Sequence, residues 1–361
     1  MKTKIIAASF ITLSSLLPLK ASAQSITGLY VFGDSLSDTG NTFNLTGGLV
    51  NPATAIPPSP PNNPAGYYQG RFSNGEIWVD RVGQQLGLTS TPITSLFPTL
   101  DFTKQPSIPF PTQGLNFAIG GANSGEENAI VPNLGLPGVL QQVSLFQALL
   151  QANQQSLDPN ALYAVSGGSN DFLFPKPSVD PTKPKPYENI AQSVSTLAAM
   201  GAKNILVFNL ADLGTIPAAT LNGRNPTELT QATQEFNSNL AKSLDAIRKN
   251  QKANIIEIDI FSLVNRVKQN PSEFGFTNVT DACLAQFPIC NNDQSEYFFW
   301  DAFHPTTAGQ KLVADAVLAA TTPESPTTIG LLALGALGAV NSISRLKKKS
   351  VLNIMSKVTN K

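Results

Sequence analysis

Histidine occurs once in the 361 residues, at His304. Any chemistry that uses an imidazole as base therefore has a single candidate. It stands in the stretch FFWDAFHPTTAGQ, three residues after Asp301. A carboxylate at that separation can fold back on the same turn and accept the Nδ1–H, which leaves Nε2 free to take a proton from a hydroxyl. Pro305 suits a first helical position and sets His304 at the mouth of a helix rather than on its buried face. Taken alone, Asp-x-x-His reads better as an ordinary surface histidine beside an aspartate.

A hydroxyl to pair with it is offered by Ser35, in YVFGDSLSDTGN, residues 30–41. An apolar run stops after Phe32 and turns through Gly33 and Asp34. By itself this is a strand ending in a polar turn; beside a base, it holds a nucleophile at the rim of a sheet. The Gly-x-Ser-x-Gly elbow of α/β-hydrolases is absent, because Ser37 follows Leu36. Two further glycine turns follow apolar runs, Gly120-Gly121 in NFAIGGANS and Gly167-Gly168 in SGGSND, the latter carrying Asn170 and Asp171. Each alone is a plain strand-to-helix connection. Together they put backbone N–H groups and a short amide where an acyl-transfer intermediate develops its oxyanion, and one such donor is worth roughly 10²–10³ in rate. No Asp or His cluster has metal-ligand spacing, so no metal is expected, and acyl transfer through a serine needs no cofactor.

These residues need a frame. Short β-branched or aromatic runs at 29–33, 115–120, 162–167, 205–210 and 255–260 alternate with helix-like stretches at 75–86, 139–151, 187–200, 227–250 and 305–320. Several of the runs are apolar throughout, as strands buried on both faces of a parallel sheet must be. The alternation predicts an α/β fold, a three-layer α/β/α doubly wound sheet of about five parallel strands in one domain. Two proline-rich segments, 51–70 and 174–186, interrupt it and read as loops over the crevice at the strand ends.

The ends read differently from the middle. Residues 1–23 carry two early lysines, an apolar centre and Ala21-Ser22-Ala23, the pattern of a secretory signal cleaved to leave Gln24 first. Residues 323–361 hold an apolar run from 329 to 340, short for the ~20 residues that span a bilayer. A basic cluster follows it at Arg345 and Lys347 to Lys349. Three of the 24 basic residues precede residue 24 and six follow residue 322, against only Glu324 of the 24 acidic ones. The domain between, residues 24–322, thus has 15 basic and 23 acidic residues, about −8, which argues against nucleic acid. Charged residues are only 13% overall, about half the ~25% usual in soluble domains. Cys283 and Cys290, seven apart in an exported chain, are expected to form a disulfide.

Four blocks in order, FGDSLSDTGN (32–41), GLNFAIGGA (114–122), GGSND (167–171) and WDAFHPT (300–306), resemble those of the GDSL or SGNH hydrolases. GRFSNGEIW (70–78) is similar to a segment of the secreted lipase and esterase branch. The resemblance spans about residues 29–320. It implies a flavodoxin-like SGNH fold, Ser35 as nucleophile, His304 as general base and then acid, and Asp301 as the group that orients it. It also implies an oxyanion hole from the Ser35 N–H, the Gly121 N–H and the Asn170 amide, with Gly120 as the alternative glycine. Asp34 is then structural, Asp38 and Asn41 hold the loop after Ser35 by local bonds, and Asp171 is a turn residue. Asp259 and Asp315 read as ordinary strand and helix positions.

The activity implied is hydrolysis of carboxylic esters, on a small-molecule or lipid ester, with Tyr67, Tyr68 and Phe72 suiting an apolar acyl chain. Deacetylation of a polysaccharide, acyl transfer to another alcohol, and a non-catalytic surface protein are the alternatives. The last segment resembles a bacterial Pro-Glu-Pro sorting signal, here Pro-Glu-Ser-Pro with a longer tail, implying transient contact with export and sorting machinery. A permanent weak anchor is the other reading of it.

Overall fold

A computed structural model describes residues 26–321, apart from 102, 103, 105, 131–133 and 175–183. The expected signal and sorting segments and much of the second proline-rich loop lie outside the described residues. The strands are β1 Leu29–Phe32, β2 Thr91–Pro92, β3 Leu115–Asn116, β4 Leu162–Val165, β5 Asn204–Phe208, β6 Asn254–Ile258, β7 Asn278–Ala282 and β8 Tyr297–Phe299. The α-helices are α1 Asn41–Leu45, α2 Trp78–Leu86, α3 Ile93–Leu96, α4 Val139–Ala152, α5 Ser169–Leu173, α6 Pro186–Ala199, α7 Pro226–Asn250, α8 Ile260–Gln269 and α9 Thr307–Thr321.

Six strands form one parallel sheet in the order β2-β3-β1-β4-β5-β6, with Val31 beside both Asn116 and Ala164. Alternate residues of each strand feed opposite layers. Phe32, Tyr163, Val165, Ile205 and Val207 pack on the side of α4, α6 and α7, with Phe146, Val194 and Leu240. Leu29, Val31, Leu162, Ala164 and Leu206 pack on the side of α2 and α9, with Val82 and Val317. Both faces of the central strands are covered, which is why these strands are apolar at every position. The three-layer α/β architecture expected from the alternation is therefore present.

The differences have local causes. The sheet has six strands rather than about five, because Thr91–Pro92 pairs with β3 through only two residues and carries no strand pattern. The run at 115–120 is counted as strand only to Asn116, yet the Phe117 and Ile119 N–H groups still reach the Val31 and Gly33 carbonyls at 2.8 and 3.1 Å. Helix α2 begins at Trp78, not residue 75, where the Asp80 carboxylate accepts the Ile77 N–H. Pro305 is not the first residue of α9. Thr306 donates back to the Phe298 carbonyl, and the helix starts at Thr307, whose N–H is taken by Asn74 Oδ1. Helix α8 had no assignment from the sequence; Asp259, read there as a plain strand residue, is its N-cap and accepts the Ser262 N–H at 3.0 Å.

Candidate active site

The site lies where β1, β3 and β4 end, the carboxyl edge where ligands of open parallel sheets bind. Gly33 closes β1 under tight constraint. Its N–H donates to Gln142 Oε1 at 2.8 Å, its carbonyl accepts from Gln142 Nε2, and a Cβ there would stand 2.5 Å from Ser166 Oγ. The next turn is held by Asp34, whose carbonyl accepts the Ser37 N–H and whose carboxylate accepts the Leu36 N–H, both at 3.0 Å. Burial raises the Asp34 pKa above the usual carboxyl range, with the Leu36 N–H opposing it.

Ser35 emerges from this turn 7% exposed, its Oγ 2.8 Å from Nε2 of His304, itself 8% exposed. On the other side of the ring, Nδ1 lies 2.7 and 2.9 Å from the two Asp301 oxygens. Facing a carboxylate, Nδ1 carries the proton and Nε2 accepts the serine hydroxyl. The Phe303 and His304 backbone N–H groups also donate to Asp301 Oδ1, each at 2.7 Å. Burial works against ionisation of Asp301, but His304 and these donors hold its carboxyl below the ordinary range. Phe72 covers the imidazole with ring centroids 5.1 Å apart.

The loop 300–304 is closed by the Trp300 N–H to the His304 carbonyl and rests on the Cys283–Cys290 disulfide, which packs against Trp300. That cystine is the pair expected from the spacing.

Gly121 takes φ +77°, and a Cβ there would stand 2.8 Å from both Asn128 Oδ1 and Ile130, so only glycine fits. The two candidate glycines differ in what their N–H groups do. Gly120 donates to Asp38 Oδ2 and Thr42 Oγ1 at 3.0 and 2.7 Å. Among the described residues no acceptor takes the Gly121 or Ser35 N–H. Asn170, at the start of α5, gives one amide N–H to the Ala122 carbonyl at 2.9 Å and keeps the other.

A buried polar network holds the Ser35 and Gly121 loops together. Asp38 accepts from Gly40, Asn41 and Thr42 as well as Gly120. Burial raises its pKa, and those donors partly offset this. The expectation of purely local bonds fails for Asn41. Its amide donates across to the Asn116 and Ala118 carbonyls at 2.9 and 3.0 Å. Asn116 in turn donates to the Ser37 carbonyl and Thr39 Oγ1, a link that sequence spacing does not reveal. Asp171 lies in the first turn of α5 rather than in a turn, and accepts the Ser124 N–H and hydroxyl.

Beside Ser35 opens a cavity of about 170 Å³, walled by Phe208, Leu210, Leu213, Ile216, Val264 and Phe299. Tyr67, Tyr68 and Phe72 do not line it, contrary to the sequence reading. Tyr67 instead donates its hydroxyl to Asp301 Oδ2 at 2.6 Å. Phe72 is spent on the imidazole, and Tyr68 lies under Arg71.

Residues 29–317 match the family model described as GDSL-like Lipase/Acylhydrolase. A GDSL esterase/lipase of Arabidopsis thaliana is 29% identical over 324 residues, covering 81% of this chain and 85% of its own. Another from the same plant is 30% identical over 327 residues, covering 80% and 86%. A solved structure of a lipolytic G-D-S-L protein from Veillonella parvula aligns with TM-score 0.41 and 14% identity, over 81% of this chain and 96% of that one.

Proposed function

The chain belongs to the GDSL-like lipase/acylhydrolase family and is a carboxylic ester hydrolase, and we propose that it works through a Ser35 acyl-enzyme driven by His304 and Asp301. The observation that carries this reading is the 2.8 Å contact between Ser35 Oγ and Nε2 of the chain's one histidine. Ser35 attacks the ester carbonyl as His304 takes its proton, and the imidazolium returns that proton to the departing alcohol. Water then adds to the acyl-enzyme, giving a proton to His304, and the acid leaves as the proton returns to Ser35. The Ser35 N–H, the Gly121 N–H and the unused Asn170 N–H are the donors for the carbonyl oxygen as its charge grows. Asp301 stays ionised, so it can stabilise the imidazolium without taking its proton.

The apolar cavity supports an acyl chain rather than a sugar in the pocket next to Ser35. A cavity of ~150 Å³ lined by apolar side chains holds benzene, six carbons, so the 170 Å³ here suits an acyl group of about six to eight carbons. A p-nitrophenyl ester series should show kcat/KM rising from acetate to a maximum near hexanoate or octanoate. A maximum at acetate, with turnover of acetylated xylan, would favour the polysaccharide deacetylase instead. An inert protein would sink the enzyme reading altogether.

Residues 1–23 support export, with a mature domain of 24–322 and a final segment used for sorting. The mature chain would then begin at Gln24. These assignments fit a protein that meets its esters outside the cytoplasm.

A further inference from the structure

We propose that Tyr67 is a positioning residue of this site, fixing the second oxygen of Asp301 and setting how much of its charge reaches the imidazole. The inference rests on the triad reading above.

The two oxygens of Asp301 are held differently. Oδ1 is gripped by its own loop, through the Phe303 and His304 backbone N–H groups. Among the described residues Oδ2 receives no backbone donor. Its partners are His304 Nδ1 at 2.7 Å and the Tyr67 hydroxyl at 2.6 Å. Tyr67 comes from the first proline-rich segment, 234 positions away in sequence. That segment is itself anchored by the Tyr67 N–H to the Pro58 carbonyl and the Tyr68 N–H to the Ser73 carbonyl. The Tyr67 ring sits edge-on to Trp300 and to Phe72, 6.3 Å from each, and Phe72 covers His304. One ring therefore braces the carboxylate and both aromatic neighbours of the imidazole loop.

Burial, the Asp301 charge and this hydrogen bond all raise the pKa of the Tyr67 phenol, so it stays a donor through neutral and alkaline pH. Two other charged groups among the described residues lie near His304 or its loop. Asp34 approaches from the β1 turn, and Arg224 stands over the Phe303 ring with 6.0 Å to its centroid. Neither donates to Asp301, so the phenol is what shares the carboxylate with the imidazole.

The consequence has a definite sign. A hydroxyl donating to Oδ2 draws off part of the negative charge that stabilises the imidazolium. In Tyr67→Phe the carboxylate is left to His304 alone, so the protonated ring is favoured in the free enzyme. The base must be neutral to accept the serine proton, so the acid limb of kcat/KM moves to higher pH. A shift of about 0.5 to 1 pH unit is expected, roughly half of what one hydrogen bond to a charged group is worth at the carboxylate itself. Loss of the brace also lets Asp301 turn, lowering kcat by roughly 3- to 10-fold at the plateau. KM changes little, since Tyr67 does not line the cavity.

Tyr67→Phe removes one oxygen and keeps the ring, so the packing survives. Because His304 is the one histidine, its carbon-bound ring proton gives an unambiguous nuclear magnetic resonance titration without substrate. The expected result is a titration midpoint and an acid limb that both rise together in Tyr67→Phe, and no further kcat loss when Tyr67→Phe is added to Asp301→Asn. An unmoved midpoint, a uniform loss of activity at every pH, or additive losses in the double variant would each overturn the role. Since the titration needs no turnover, its failure is read separately from failure of ester hydrolysis.

Discussion

Asp171 carries a carboxyl far from the Ser35 hydroxyl in role but close in the network, accepting from Ser124 at the start of α5, and burial pushes it up to about 6. Its folded value lies above the ~3.9 of an unfolded chain. The protonated form is therefore favoured by folding, and the stability it contributes is present below about pH 4 and lost as pH rises through about 6. Asp34 and Asp38 act in the same direction, Asp301 and Asp259 in the opposite one. The comparison of wild type with Asp171→Asn isolates one group. Chemical unfolding from pH 4 to 7 should show wild type losing roughly 2 kcal/mol relative to the variant over that range. Ester hydrolysis in Asp171→Asn should stay within about threefold; a loss of orders of magnitude would make it part of the chemistry. The contacts among Ser35, His304 and Asp301 were legible because a lone histidine leaves one imidazole to pair and Asp301 stands three residues before it. Tyr67 was not, because a tyrosine beside prolines reads as apolar surface until the fold brings it to a carboxylate 234 positions away.

Elements were legible in proportion to how much of their pattern is local. The apolar runs of β1, β4, β5 and β6 are set by burial on both faces, and α4, α6 and α7 by an apolar stripe. What escaped is fixed by tertiary contacts: the two-residue β2, the β7–β8 pair, and α8, which begins at a cap that looks like the end of a strand. That omission mattered for substrate. Helix α8 brings Val264 to the cavity, which it lines with Leu213, in a short 3₁₀ turn after β5, and Ile216, between that turn and the next. The cavity proposed to take the acyl chain is thus built from the segments with the weakest sequence signal. Val264→Phe should fill it, lowering kcat/KM for p-nitrophenyl octanoate by ~10-fold or more while leaving acetate within about threefold, at a stability cost of roughly 1–3 kcal/mol. Equal losses on both esters would place the acyl chain elsewhere.

At the scale of the whole molecule, the parallel sheet brings three loop ends to one edge, and a late loop resting on a cystine closes over them. Ser35 and His304 are 269 positions apart, so the complete fold is needed to join them. Charge and composition were legible only after the two ends were set aside, since the neutral total conceals a core near −8. The central claim is that one serine forms the acyl-enzyme. It is tested most directly by treating the purified protein with a fluorophosphonate and mapping the adduct by intact and peptide mass. The expected result is a single adduct on the peptide containing Ser35, absent in Ser35→Ala and much slower in His304→Ala, on a chain beginning at Gln24. Stoichiometric labelling at another residue, with Ser35→Ala still hydrolysing esters, would contradict it.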